Sequence, residues 1–130
     1  MKNIVVATKE NVAYYNLMVD SCDRYGYELV VLGMNQPWNG LSDKYKYWEE
    51  YLSSLPENEL VMMNDAYDVI MLDPANVIAE KFRKFNKPVV CSVQKGMILN
   101  FVFPRYFDHV ICTGNIIGYA GEILKIIRIV

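Results

Sequence analysis

Reactive and metal-seeking side chains are scarce in this sequence: 130 residues hold one histidine, His109, and three cysteines, Cys22, Cys91 and Cys112. No two cysteines form a C-x-x-C pair and no His/Cys cluster has zinc spacing, which excludes a zinc cluster or a disulfide framework and leaves reduced thiols as the expected state. A strong excess of one charge sign is missing too. The 13 basic and 15 acidic residues are spread along the chain for a net charge of -2, so no stripe or tail nominates a nucleic-acid partner. Long apolar runs are absent at the start, where "MKNIVVATKENV" reaches Lys9 and Glu10 after a few apolar residues, too short for a secretory core or a membrane span. The chain is therefore expected to be soluble and unexported, its compartment cytoplasmic or unassigned. Neither G-x-x-x-x-G-K nor G-x-G-x-x-G occurs, which removes the two common phosphate loops. Repeats, low-complexity tracts and linkers are also missing.

What remains is a 53% hydrophobic chain that fits one domain with a core of its own. Its pattern alternates. "NIVVAT" (3–8) reads as a strand, followed by a helix over 11–26 with Val12, Tyr15, Val19 and Cys22 on one face and Gly26 as its stop. "YELVVLG" (27–33) is a second strand, "MNQPWNGLS" (34–42) a loop, and 43–54 a helix capped by Ser42. "NELVMM" (58–63) is apolar on both faces, as in a buried parallel strand, and "VIML" (69–72) is a short strand beyond it. Asp73 as N-cap and Pro74 at the first helical position open a helix whose face is Val77, Ile78, Lys81, Phe82 and Phe85. "PVVCSV" (88–93) and "HVICTG" (109–114) are strands around an irregular stretch from Gln94 to Asp108, and "AGEILKIIRIV" is a terminal helix or strand. This alternation predicts one three-layer α/β domain with a mostly parallel sheet, whose ligands bind beyond the C-terminal ends of the strands.

"MMNDAYDVIM" (62–71) sets two aspartates in an apolar run. In an extended strand Asp65 and Asp68 would face opposite sides, so they converge only if the chain turns, and Asn64-Asp65-Ala66-Tyr67 is suited to a turn. Two carboxylates about 4 Å apart repel by about 4 kcal/mol at an effective dielectric near 20, and a hard divalent cation, Mn²⁺ or Mg²⁺, relieves that. Oxygen-only ligation with few protein ligands suits an ion whose other positions belong to phosphate oxygens and water. The alternative is that Asp65 caps a turn while Asp68 is a solvated edge residue. The lone His109, beside Asp108, reads as structural rather than as a ligand.

"VLGMNQPWNG…DKYKYW", "VMMNDAYDVIM" and "TGNIIGYA", in this order, resemble the glycosyltransferase domain of procollagen lysyl hydroxylases and related collagen glycosyltransferases over most of the chain. The resemblance implies a GT-A type nucleotide-sugar-binding fold, a UDP-sugar donor and Mn²⁺. It places the metal on Asp65 and Asp68 and implies uracil stacking by Tyr67. Trp38 would line the nucleotide pocket, Lys44 would stand near the phosphates, and Thr8, ending the first strand, is a weaker match. Glucose or galactose would be passed to a hydroxylysine-linked or collagen-like acceptor.

Two stretches depart from the family. Its Asn-Ser-Gly reads Cys112-Thr113-Gly114 here, a weak thiol in place of an amide, and "QKGMILNFVFPRY" replaces a Cys-Trp-Pro type block. The family also continues into catalytic carboxylates and a metal-binding histidine beyond Val130, so the domain is expected to be incomplete at its C-terminus and catalytic residues cannot be assigned. A second reading is therefore a non-catalytic nucleotide-binding or interaction module. A third is an unrelated doubly wound phosphate-handling enzyme. The apolar end, Ile116 to Val130, predicts a partner (a second copy or another chain), a missing extension or poor solubility.

Overall fold

The computed structural model describes residues 1–10, 12–94 and 110–129. The expectations for the irregular stretch 95–108 and for His109 fall outside these residues. Along the chain the elements are β1 (Lys2–Val6), α1 (Tyr15–Arg24), β2 (Glu28–Leu32), α2 (Leu41–Ser53), β3 (Leu60–Asp65), α3 (Ala75–Lys84), β4 (Val89–Gln94), β5 (Val110–Tyr119) and α4 (Ala120–Ile127). They build one mixed sheet in the order β2-β1-β3-β5-β4. β1 pairs parallel with β2 and β3, whereas β5 runs antiparallel to both β3 and β4, so every strand except β5 points the same way. The expected three-layer, mostly parallel architecture is what forms, with β5 as the reversed strand.

β1 and β3 are buried on both faces because their side chains alternate between two apolar layers. Val5 and Met62 pack with Tyr15, Met18 and Cys22 of α1 and Ala75 of α3. Ile4, Val61 and Met63 pack on the opposite face with Trp48 and Leu52 of α2 and Ala120 and Ile123 of α4. The first layer also contains two fully buried asparagines. Asn64 Nδ2 donates to Asn3 Oδ1 at 2.7 Å, and Asn3 Nδ2 faces Met18 Sδ and Cys22 Sγ at 3.3 Å each. Burial pushes the Cys22 and Cys91 thiols up, which keeps them protonated and inert; among the described residues all three cysteines are free.

Several local expectations shift. α1 begins at Tyr15 and buries Met18, whereas Val12 and Val19 face solvent. α2 is capped by Gly40, not Ser42. At φ 126° Gly40 takes a conformation that disfavours a side chain, and Asp43 reaches back to accept from the Asn39 backbone N–H at 2.8 Å. Val69 to Leu72 form no strand. The chain crosses α1 there, with the Met71 N–H donating to Ser21 Oγ at 3.0 Å, and among the described residues no strand pairs with it. Pro74, extended at φ -56° and ψ 145°, is the N-cap of α3, and Asp73 pairs with Lys81 instead. The buried face of α3 is Ala75, Ala79 and Phe82, with Lys81 and Phe85 outside. The terminal segment is helical. Ala120 and Ile123 are buried, while Ile126 and Ile129 remain exposed.

Candidate functional site

β1 and β3 end side by side, with Val6 in register with Asp65, so the loops after both strands emerge at one edge of the sheet. β3 runs through Asn64 to Asp65, and the turn follows at Ala66, Tyr67 and Asp68. The turn is therefore one residue later than the sequence suggested. Tyr67 fastens it in place. Its hydroxyl oxygen accepts from the backbone N–H groups of Thr8 and Lys9 at 3.0 and 3.1 Å, and its O–H faces the Lys9 carbonyl at 3.1 Å. Its ring lies 6.2 Å from that of Tyr15. Thr8 thus enters the site through its backbone, which also anchors the next loop: the Thr8 carbonyl accepts from the Asn35 N–H at 3.0 Å.

That loop, between β2 and α2, presents Trp38 at 45% exposure. Asp43 holds its far end through Asn39, so the first turn of α2 fixes where Trp38 stands. Together these segments enclose a cleft of about 300 Å³ lined by Val6, Thr8, Trp38, Leu41, Lys44, Asp65, Ala66, Tyr67 and Asp68. All six residues singled out in the sequence, Thr8, Trp38, Lys44, Tyr67, Asp65 and Asp68, line this one cleft.

The charged residues are not equivalent. Lys44 Nζ is ion-paired with Asp65 Oδ1 and lies 4.5 Å from the centre of the Trp48 ring, with only 9% of its side chain exposed against 43% for Asp65. Trp48 is fully buried and packs edge-on against Tyr45 at 5.8 Å. A lysine taken this far out of water needs both partners, since an unpaired buried ammonium is strongly disfavoured. Asp68 has no ion pair or hydrogen bond among the described residues.

Sequence reasoning marked Cys112-Thr113-Gly114 as a departure from the family but did not place it as the wall behind Asp65. In the β4–β5 ladder Cys91 faces Ile116 and Ser92 faces Cys112, so Thr113, Gly114 and Asn115 are extra residues on β5, a bulge beside the cleft. Gly114 sits against the Asp65 carboxylate. A methyl group there would overlap Oδ2 and lie 3.1 Å from Cγ. A glycine inside a strand pattern signals a bulge or a close backbone approach, and that was the available clue. Gly114→Ala is expected to displace Asp65, lowering thermal stability by about 1–3 kcal/mol as an overpacking substitution and weakening any ligand held by Asp65 about ten-fold. Differential scanning calorimetry and titration of that ligand check the two effects.

Asp65 and Asp68 offer hard oxygen donors suited to Mg²⁺ or Mn²⁺ with phosphate and water completing the shell. Among the described residues no third histidine, cysteine or acidic side chain joins them to form a ready-made metal cluster. Both carboxylates line the cleft, and their donor chemistry suits part of such a shell once Lys44 yields Asp65 Oδ1. Among the described residues, no helix is long and apolar enough to cross a membrane.

Comparison with known proteins matches the PLOD GT domain family over residues 1–130. Procollagen-lysine,2-oxoglutarate 5-dioxygenase 2 of Homo sapiens is 24% identical over 141 aligned residues, which cover 96% of this chain and 19% of that protein. The chain thus spans about a fifth of the relative's length.

Proposed function

Because the chain belongs to the PLOD GT domain family, we propose that the cleft binds a UDP-sugar and that a divalent cation, Mn²⁺ or Mg²⁺, joins Asp65 and Asp68 to its diphosphate. The observation that carries this reading is the convergence of Trp38, Lys44, Asp65, Tyr67 and Asp68 on one cleft at the end of β1 and β3. Each group has a task that its chemistry suits. The Tyr67 ring, held by its hydroxyl, and the exposed Trp38 ring both line the cleft and offer flat faces to uracil. Lys44 brings an ammonium to the phosphates. The cation supplies charge neutralisation for the departing diphosphate. The sugar is glucose or galactose and the acceptor a hydroxylysine-bearing or collagen-like chain, by analogy with the family.

One observation favours a second reading, nucleotide binding without transfer: Asp65 is already neutralised by Lys44. Calorimetric titration with UDP, with and without Mn²⁺, followed by assay of UDP release from UDP-glucose and UDP-galactose, separates the two. Wild-type protein is expected to bind UDP in the presence of Mn²⁺. Trp38→Ala, at an exposed position, should bind about ten-fold more weakly, the scale of one base–aromatic stack. A folded wild-type protein that takes up no UDP with Mn²⁺ present would sink both readings.

A further inference from the structure

Lys44 is not placed as a surface lysine waiting for phosphate. Its stem is buried, its ammonium lies against the face of the fully buried Trp48, and its ion-pair partner is the carboxylate at the end of β3. That carboxylate is confined on its other side. Asp65 Oδ2 rests against Gly114, so turning the group away from Lys44 to free Oδ1 is resisted by the bulge of β5. Among the described residues the cleft therefore contains two carboxylates and one ammonium, a single net negative charge, with one of the carboxylates already engaged. A divalent ion arriving alone would meet a weak field and a nearby positive charge. A nucleoside diphosphate changes both conditions, because it brings its own negative oxygens and gives the ammonium another partner.

We propose that Lys44 is a cation gate on Asp65: its ammonium holds the oxygen that a divalent ion needs, so the cleft takes up the ion together with a nucleoside diphosphate and only weakly without one. This rests on the reading of the cleft as a UDP-sugar site, and it adds an order to its filling. The ammonium is exchanged from carboxylate to phosphate as the ion takes its place on Asp65. Lys44 then serves as counter-ion in both states, and the buried stem and the Trp48 ring keep it within reach of either partner.

Mn²⁺ alone is the probe, followed by the loss of the free-ion electron paramagnetic resonance signal in wild-type protein and Lys44→Met, with circular dichroism as the folding check. Lys44→Met keeps the buried stem and removes the charge. It is expected to bind Mn²⁺ at least about ten-fold more tightly than wild type in the absence of nucleotide, whereas UDP should raise Mn²⁺ affinity at least about ten-fold in wild type and much less in the variant. A folded Lys44→Met protein that binds Mn²⁺ no better than wild type overturns the gate and leaves Lys44 as a positioning residue for Asp65. Should the variant not fold, the wild-type comparison decides alone: Mn²⁺ bound as tightly without UDP as with it overturns the proposal. Tighter Mn²⁺ binding by Lys44→Met in a protein that never binds UDP would uphold the hold of Lys44 on Asp65 but overturn both the donor-site reading and the nucleotide-coupled uptake.

Discussion

Asp65→Ala is expected to lower the affinity for UDP with Mn²⁺ by about 100-fold or more, the scale on which a metal ligand and its charge-assisted contacts act. The same change should destabilise the protein by about 2 kcal/mol, because it removes the charge partner of a lysine whose side chain is only 9% exposed. The two effects come apart in the double variant Lys44→Met/Asp65→Ala. Without the stranded ammonium, stability should recover most of its loss, while nucleotide binding stays low. Urea unfolding of the three variants and calorimetric titration with UDP measure both. Retained metal-dependent UDP binding in folded Asp65→Ala would mean that the carboxylate at the end of β3 does not hold the cation.

The second large effect is on the fold. Trp48→Ala should cost about 3–5 kcal/mol, as expected for emptying a buried aromatic site, a large share of the roughly 5–15 kcal/mol by which a domain of this kind is stable. Trp48 is fully buried among Ile4, Leu52, Ile116 and Ile123, where α2 and α4 meet the sheet, and a cavity of about 190 Å³ already borders it, so collapse around the deletion has little to draw on. Its indole N–H has no hydrogen-bond partner among the described residues, which makes Trp48→Phe the informative companion. Phenylalanine retains an aromatic face for Lys44 and removes the unsatisfied donor, so it should lose much less than alanine. Thermal melting of both variants gives the comparison. Near-equal melting temperatures for Trp48→Ala and wild type would show that this layer does not carry the fold.

Both experiments act on one mechanical chain. Trp48 supports Lys44, Lys44 holds Asp65, and Gly114 leaves room for Asp65 at the edge where β1 and β3 end. Tyr67 closes the same edge from the other side by bridging the turn after β3 to the backbone of Thr8 and Lys9. Tyr67 therefore has a structural duty besides any contact with a base. Removing its hydroxyl would loosen the cleft even if its ring never met a ligand.

The sequence by itself determined the layers and the neighbourhood of the site. Two-sided apolar runs such as Ile4-Val5 and Val61-Met62-Met63 can be satisfied only between two helical layers, and the aspartates directly after the third strand had to emerge at the edge of the sheet. Local periodicity was weaker at element ends. It placed the α2 cap on Ser42 where Gly40 serves, and a strand on Val69 to Leu72 where none of the described residues offers a ladder, since a cap depends on backbone dihedrals and a strand on a partner. Tertiary structure alone decided what each charged group touches. Lys44 and Asp65 are 21 positions apart, and Gly114 is further still, so no spacing rule connects them; they meet because α2 lies on one face of β3 and the bulge of β5 borders its end. Composition and order told which chemistry the chain possesses, and only packing assigned one aspartate to a lysine and left the other open to the cleft.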